Sequence, residues 1–237
     1  MLAAVASQEA RILTDTGFDA VIIENMHDAP YVHGDRLGPE VVSAMTRVGL
    51  EVQHATELPI GVQILSGGNR QALAVAQAIG GGFIRCENFV YAHVADEGLL
   101  GEAEAGALLR YRRTIEAQSI RVFCDIKKKH ASHAITADIP LSECVRGAEF
   151  FGADGVIITG PSTGRPTDLA DVIEARRATS LPLLIGSGVT PETAPGLLEH
   201  ADALIVGSAI KADGHWANAI DPARCEAMVN SVRAVRR

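Results

Sequence analysis

Seven short apolar, β-branched runs recur along the chain, and each is followed by a longer stretch with helical spacing. The runs are FDAVIIEN (Phe18–Asn25), PIGVQIL (Pro59–Leu65), GFIRCEN (Gly82–Asn88), IRVFCDIKK (Ile120–Lys128), DGVIITG (Asp154–Gly160), LPLLIGSG (Leu181–Gly188) and DALIVGSA (Asp202–Ala209). Helical patterns cover Pro39–Leu58, Arg70–Ile79, Glu102–Ala117, Ser142–Phe151, Asp168–Thr179, Pro191–Glu199 and Pro222–Arg236. A strand that is apolar on both faces has to be covered on both faces. Apolar strands alternating with helices therefore predict parallel βαβ units. Thr190-Pro191 and Asp221-Pro222 each put a capping residue before a helix-starting proline, and Gly17, Gly80 and Gly152 fall where helices should stop.

The order of elements and the length of 237 residues fit a TIM (β/α)₈-type barrel, which typically takes ~250 residues. No linker or low-complexity stretch interrupts the pattern, so residues 1–237 are expected to form a single domain. The chain opens on a helix, Leu2–Thr16, with no strand before it. A closed barrel needs eight strands, so the fold is expected to be either an α/β barrel that lacks strand 1, with its gap between Phe18–Asn25 and Asp202–Ala209, or an open doubly wound sheet; the spacing and the terminal motifs favour the barrel.

Composition narrows the partners. A formal net charge of −8 argues against nucleic acid, which requires a basic face. No apolar run approaches the ~18 residues of a membrane span, and the first residues lack the apolar core of a signal peptide. The four cysteines form no CxxC pair, so buried thiols in a reducing, cytoplasmic compartment are expected. A homo-oligomer remains open.

The strongest local signal is a tandem of glycine turns, IGSGVTPE (Ile185–Glu192) and IVGSAIK (Ile205–Lys211), at the ends of consecutive strands. Glycine lets backbone amides approach an anion closely, and serine adds a hydroxyl donor. The turns after the last two strands are where many barrels seat a phosphate. Gly186, Ser187, Gly188, Gly207 and Ser208 are the phosphate-binding candidates, and a phosphorylated small molecule is the expected ligand. Tight turns without a ligand are the alternative.

Period-two alternation puts Asp125 and Lys127 on one face of IRVFCDIKKKH, pointing into the barrel mouth, and turns Cys124 and Ile126 toward the helices. The same alternation sends Arg85 and Glu87 inward from GFIRCEN, and Glu24 from AVIIEN. Charges in such a place pair with one another or carry chemistry. Asp125, Lys127, Glu24, Glu87 and the loop residue His130 are the catalytic candidates. Asn25, Gln63, Arg85, Thr159 and Lys211 are the substrate-binding candidates. Carboxylates beside a lysine suit proton abstraction or aldol-type chemistry. No cofactor is identified. The carboxylates are compatible with a divalent cation, but no metal motif supports one, and His130 with His133 has no third ligand at helical spacing. The long loop Met26–Glu40, with His27, Asp28, His33 and Asp35, is of a kind that often serves as a lid.

Several stretches resemble the BtpA/SgcQ family of TIM-barrel proteins, which includes a photosystem I biogenesis factor of cyanobacteria. They are GFDAVIIEN with the following DAP, PIGVQIL, FIRCEN, ADEGLL, LLRYRR, VIITGPSTGRPTDL, LLIGSGVTPE and ALIVGSAIKADGHWANAIDP, spanning nearly the whole chain. KKKHASHA and GHWAN resemble the branch found outside photosynthetic organisms. Family members usually begin with a strand ending in an HLPPLPG-like segment, which this chain does not contain. The resemblance implies a barrel but no established activity. Two readings stay open: an enzyme, such as a lyase, isomerase or aldolase acting on a sugar phosphate or nucleotide-like compound, and a non-catalytic assembly or stability factor working through protein contacts.

Overall fold

A computed structural model describes residues 1–235. All seven expected strands are present and form one sheet, in the order β1-β2-β3-β6-β8-β9-β10, with β1 and β10 at its two ends. Each strand is shorter than its apolar run, because the flanking residues turn into the connecting loops. Residue contacts divide the chain into two compact units, Met1–Glu87 with Gly106–Phe123, and Asn88–Ala105 with Cys124–Arg237.

In the first unit, α1 (Leu2–Thr16) ends as its sequence predicts. Gly17 takes φ 96° and returns its amide to Leu13 and Thr14 carbonyls. The helix lies on α2 (Pro39–Ala55), where Ser7 Oγ donates to the Glu51 carbonyl and the Thr14 and Thr56 hydroxyls meet at 2.6 Å. β1 (Val21–Glu24) pairs in parallel with β2 (Ile60–Gln63), bringing Glu24 beside Gln63. β2 pairs in turn with β3 (Phe83–Cys86), which follows α3 (Asn69–Ala78). Gly61 has no side chain because the Phe83 ring occupies its place: a Cβ there would lie 2.1 Å from the ring. α4 (Ala105–Thr114) is shorter at both ends than the expected Glu102–Ala117.

The loop expected as a lid is tied down at several points within this unit. A Cβ on Gly34 would lie 2.3 Å from the Gly67 carbonyl, Gln71 Nε2 donates to the Gly34 carbonyl, and the Ser66 amide donates to Val32.

The second unit contains what the periodicity did not foretell. β4 (His93–Ala95), β5 (Gly98–Leu100) and β7 (Ala131–Ser132) form a small antiparallel sheet in the order β5-β4-β7. Strands of two or three residues are too short to show an alternation. β6 (Arg121–Ile126) ends in this unit, followed by α5 (Leu141–Phe150), β8 (Gly155–Ile158), α6 (Leu169–Ala178) and β9 (Leu183–Gly186). α7 (Ala194–Leu198), β10 (Ala203–Ile205) and α8 (Pro222–Val235) complete it. α7 begins later than its Thr-Pro signal, because Thr193 Oγ1 accepts the Thr190 amide and holds 190–193 as a turn. β8 and β9 are wholly buried, and the register of β9 with β10 sets Gly186 beside Ile205. All four cysteines are buried and outside any disulfide.

Candidate functional site

The glycine turns after β9 and β10 differ in character. Ser187 is held at φ 143°, a region costly for any residue with a Cβ, and Gly188 follows at φ 61°. The Ser187 hydroxyl is buried and has no hydrogen-bond partner. Thr167 Oγ1 donates to the Ser187 carbonyl at 3.4 Å. Gly188 is packed from behind: a Cβ there would meet the backbone of Arg165 at 2.3 Å. Gly207 has open space where its Cβ would be, and Ser208 opens a short turn of 3₁₀ helix, Ser208–Ile210. Lys211 lies beyond it and sends Nζ to the Asn218 carbonyl at 3.1 Å.

Three loops of the second unit are linked in series. The Lys129 amide donates to Thr159 Oγ1 at 3.1 Å, and the His130 amide donates to the Pro161 carbonyl at 3.3 Å. His130 Nε2 accepts the Thr163 amide at 3.1 Å, while its Nδ1 lies 3.5 Å from Asp96. His130 therefore clasps the loop after β6 to the loop after β8, and Thr167 carries the link on to Ser187.

At the end of β6, Asp125 is buried as expected. Strand geometry ends at Ile126 and Lys127 takes φ 48°, so alternation does not carry Lys127 onward, yet it lines the same cavity as Asp125. Its Nζ donates to the Ile139 carbonyl at 2.8 Å, within electrostatic reach of Cys144, Asp171 and Glu174. Lys128 is the enclosed lysine, its Nζ 3.9 Å from Glu97 Oε2. Asn88, Tyr91, His93, Asp125, Lys128 and His133 are among the residues lining a cavity of about 20 Å³. His93 Nε2 and Asn88 Oδ1 are buried there without partners. Burial, then the charges of Lys128 and His133, push the His93 imidazole down to about 4. The His133 ring lies 5.4 Å from that of His93, and its Nε2 bonds the Lys128 carbonyl.

In the first unit, Gln63, Arg85 and Glu87 are buried at strand ends, whereas Glu24 is exposed. Glu87 is firmly placed: its Oε2 accepts the Gly67 amide at 2.8 Å, and the Asn69 side chain bridges its backbone N–H and carbonyl. Asn25 does similar work, spanning the Leu65 amide and carbonyl. Gln63 Oε1 is buried without a partner. Sequence reasoning missed Asn88, His93, Glu97 and Lys128. The only sequence sign of the segment carrying Glu97 was ADEGLL, a family match without chemistry of its own. Among the described residues there is no group of three or more His, Cys, Asp or Glu side chains able to hold a metal. Among them, too, no helix is long and apolar enough to cross a membrane.

Seven parallel strands alternating with helices, with glycine turns at the strand ends, define a TIM-barrel protein, and solved structures agree. Thiamine phosphate pyrophosphorylase from Pyrococcus furiosus matches with a TM-score of 0.64 at 14% identity, over 97% of this chain and 90% of that one. (S)-3-O-geranylgeranylglyceryl phosphate synthase from Thermoplasma acidophilum matches with a TM-score of 0.64 at 16% identity, over 99% and 91%. At such identities the likeness concerns the fold alone. The chain belongs to the BtpA family, whose model matches residues 2–234. It is 42% identical to an uncharacterized mitochondrial protein of Caenorhabditis elegans over 97% of this chain and 84% of that one. It is 35% identical to the photosystem I biogenesis protein BtpA of Synechocystis over 96% and 78%.

Proposed function

We propose that this protein binds a phosphorylated small metabolite, its phosphate on Gly186, Ser187, Gly188, Gly207 and Ser208. The observation that carries this reading is the Ser187 hydroxyl, buried without a partner on a strained backbone. A buried hydroxyl without a partner costs about 1–3 kcal/mol, and strain of this kind about as much again. Both are understandable where a ligand oxygen completes the bonding. Open space at Gly207, one strand over, leaves an approach for the ligand. Proteins of the same fold whose names carry a phosphorylated compound add support, among them orotidine 5'-phosphate decarboxylase and 3-hexulose-6-phosphate synthase.

For lyase, isomerase or aldolase-type chemistry, the buried Asp125 carboxylate is the preferred base. Lys127 and Lys128, which line the same cavity, are the candidate counter-charges. Glu87 would position rather than react. A reducing compartment suits four cysteines that form no disulfide. The cytoplasm is our reading, although the worm relative is named as mitochondrial. A titration of the backbone amide spectrum with methyl phosphate tests the site. Saturable shifts at Ser187, Gly188, Gly207 and Ser208 are expected, and their absence would overturn it.

The name of the cyanobacterial relative favours a second reading, an assembly factor acting through its surface. Leu99 and Val94, paired across β5 and β4 and exposed, would belong to such a surface. Unchanged complementation by an Asp125→Asn variant would favour it.

A further inference from the structure

The small antiparallel sheet has an open edge at β5, the end strand in the order β5-β4-β7. The two-residue turn Asp96–Glu97 joins it to β4. In such a hairpin the pair next to the turn, Ala95 and Gly98, exchanges ladder bonds, and so does His93 with Leu100. Leu99, opposite Val94 between those pairs, therefore directs its N–H and carbonyl away from β4, toward the edge. The surroundings are open: a Cβ on Gly98 would meet no atom within 4 Å, and one on Gly101 would meet only Leu99. Leu99 is 64% exposed and Val94 41%, against 1% for Leu100 on the other face. An uncovered edge with apolar side chains is a template for an added strand.

Charge narrows what that strand can be. Asp96 and Glu102 lie three residues to either side of Leu99 and are both exposed, the Asp96 carboxylate 3.5 Å from His130 Nδ1. A second copy paired antiparallel about Leu99 would set Asp96 opposite Glu102 twice, and like charges directly opposite destabilise a sheet. Nucleic acid and anionic lipid headgroups are repelled for the same reason. We propose that the β5 edge is a docking site for an extended basic segment of a partner protein. The segment adds as an antiparallel strand, with an apolar residue opposite Leu99 and a lysine or arginine near each of the two carboxylates. Ladder bonds to the Leu99 N–H and carbonyl supply affinity, and the charges fix the register. The proposal rests on the assembly reading for its biological role and gives that reading a partner of defined chemistry.

The probe is a synthetic heptapeptide with lysine at both ends, valine at the centre and threonine between, titrated into the full chain labelled with ¹⁵N. Saturable shifts at Gly98, Leu99 and Leu100 are expected, with slowed exchange of the Leu99 amide. A peptide with glutamate at both ends should bind about tenfold more weakly, and Glu102→Lys should reduce that difference. Methylating the valine nitrogen removes a ladder donor and should abolish binding. Equal affinity for the two peptides, or no shift along β5, would overturn the proposal. Shifts along β5 on raising the protein concentration alone would overturn it as well, by assigning the edge to a second copy. Complementation by Asp125→Asn reports on the assembly reading separately, so either can fail alone.

Discussion

Lys128 Nζ stands 3.9 Å from Glu97 Oε2, with both side chains enclosed, while the neighbouring Lys127 sends its ammonium to the Ile139 carbonyl. The two adjacent lysines line the same cavity but differ in partner, and only Lys128 is buried. Removing one partner of an enclosed ion pair leaves an uncompensated charge, which costs about 3 kcal/mol; losing one bond to a carbonyl costs about 1. Lys128→Met should therefore lower the urea unfolding free energy by about 3 kcal/mol, and Lys127→Met by about 1. Equal losses would show that the two environments are misassigned.

The parity of Lys127 illustrates which features could be read from the sequence. Asp125 is buried, but Cys124 and Ile126 are buried as well, so burial does not separate the two faces of β6. Strand geometry stops one residue later, at Lys127, where the backbone turns left-handed, and no pattern of residue types announced it. The seven parallel strands were legible because each is a continuous apolar run. β4, β5 and β7 were not, and with them went His93 and Glu97: β4 and β5 form a hairpin of strands too short to alternate, and β4 pairs with β7 far along the sequence. The glycine turns were legible as turns, but the unpartnered hydroxyl of Ser187 needed coordinates.

Stability should depend on pH through His93. Its folded value of about 4 lies below the ordinary 6.5, so the unfolded chain binds more protons between these values. The contribution is fully present above pH 6.5 and is lost as the pH falls toward 4, on the order of 3 kcal/mol in all. Urea unfolding of the wild type and His93→Phe across this range should show a steeper acid loss in the wild type. Parallel curves would remove His93 as the cause.

The two glycine turns should respond differently to alanine. At Gly188 the positive φ and the Arg165 backbone leave no room for a methyl group, so Gly188→Ala should cost about 3 kcal/mol of unfolding free energy. At Gly207 nothing stands in the way, and the cost should be about 1 kcal/mol or less. Calorimetry with methyl phosphate should nevertheless show weaker binding for Gly207→Ala, because the methyl group fills the anion's approach.

Ser187→Gly separates strain from function. It relieves the φ of 143° and removes the buried hydroxyl, so the protein should gain about 1 kcal/mol in urea unfolding. The same change should weaken methyl phosphate binding about threefold to tenfold. A loss of stability on substitution would mean that the hydroxyl has a structural duty.

The phosphate seat itself is tested most directly by a crystal soaked in methyl phosphate. An anion within hydrogen-bond reach of Ser187 Oγ and the amides of Gly207 and Ser208 is the predicted result. Bare turns at saturating concentration, or the anion bound elsewhere on the molecule, would contradict it.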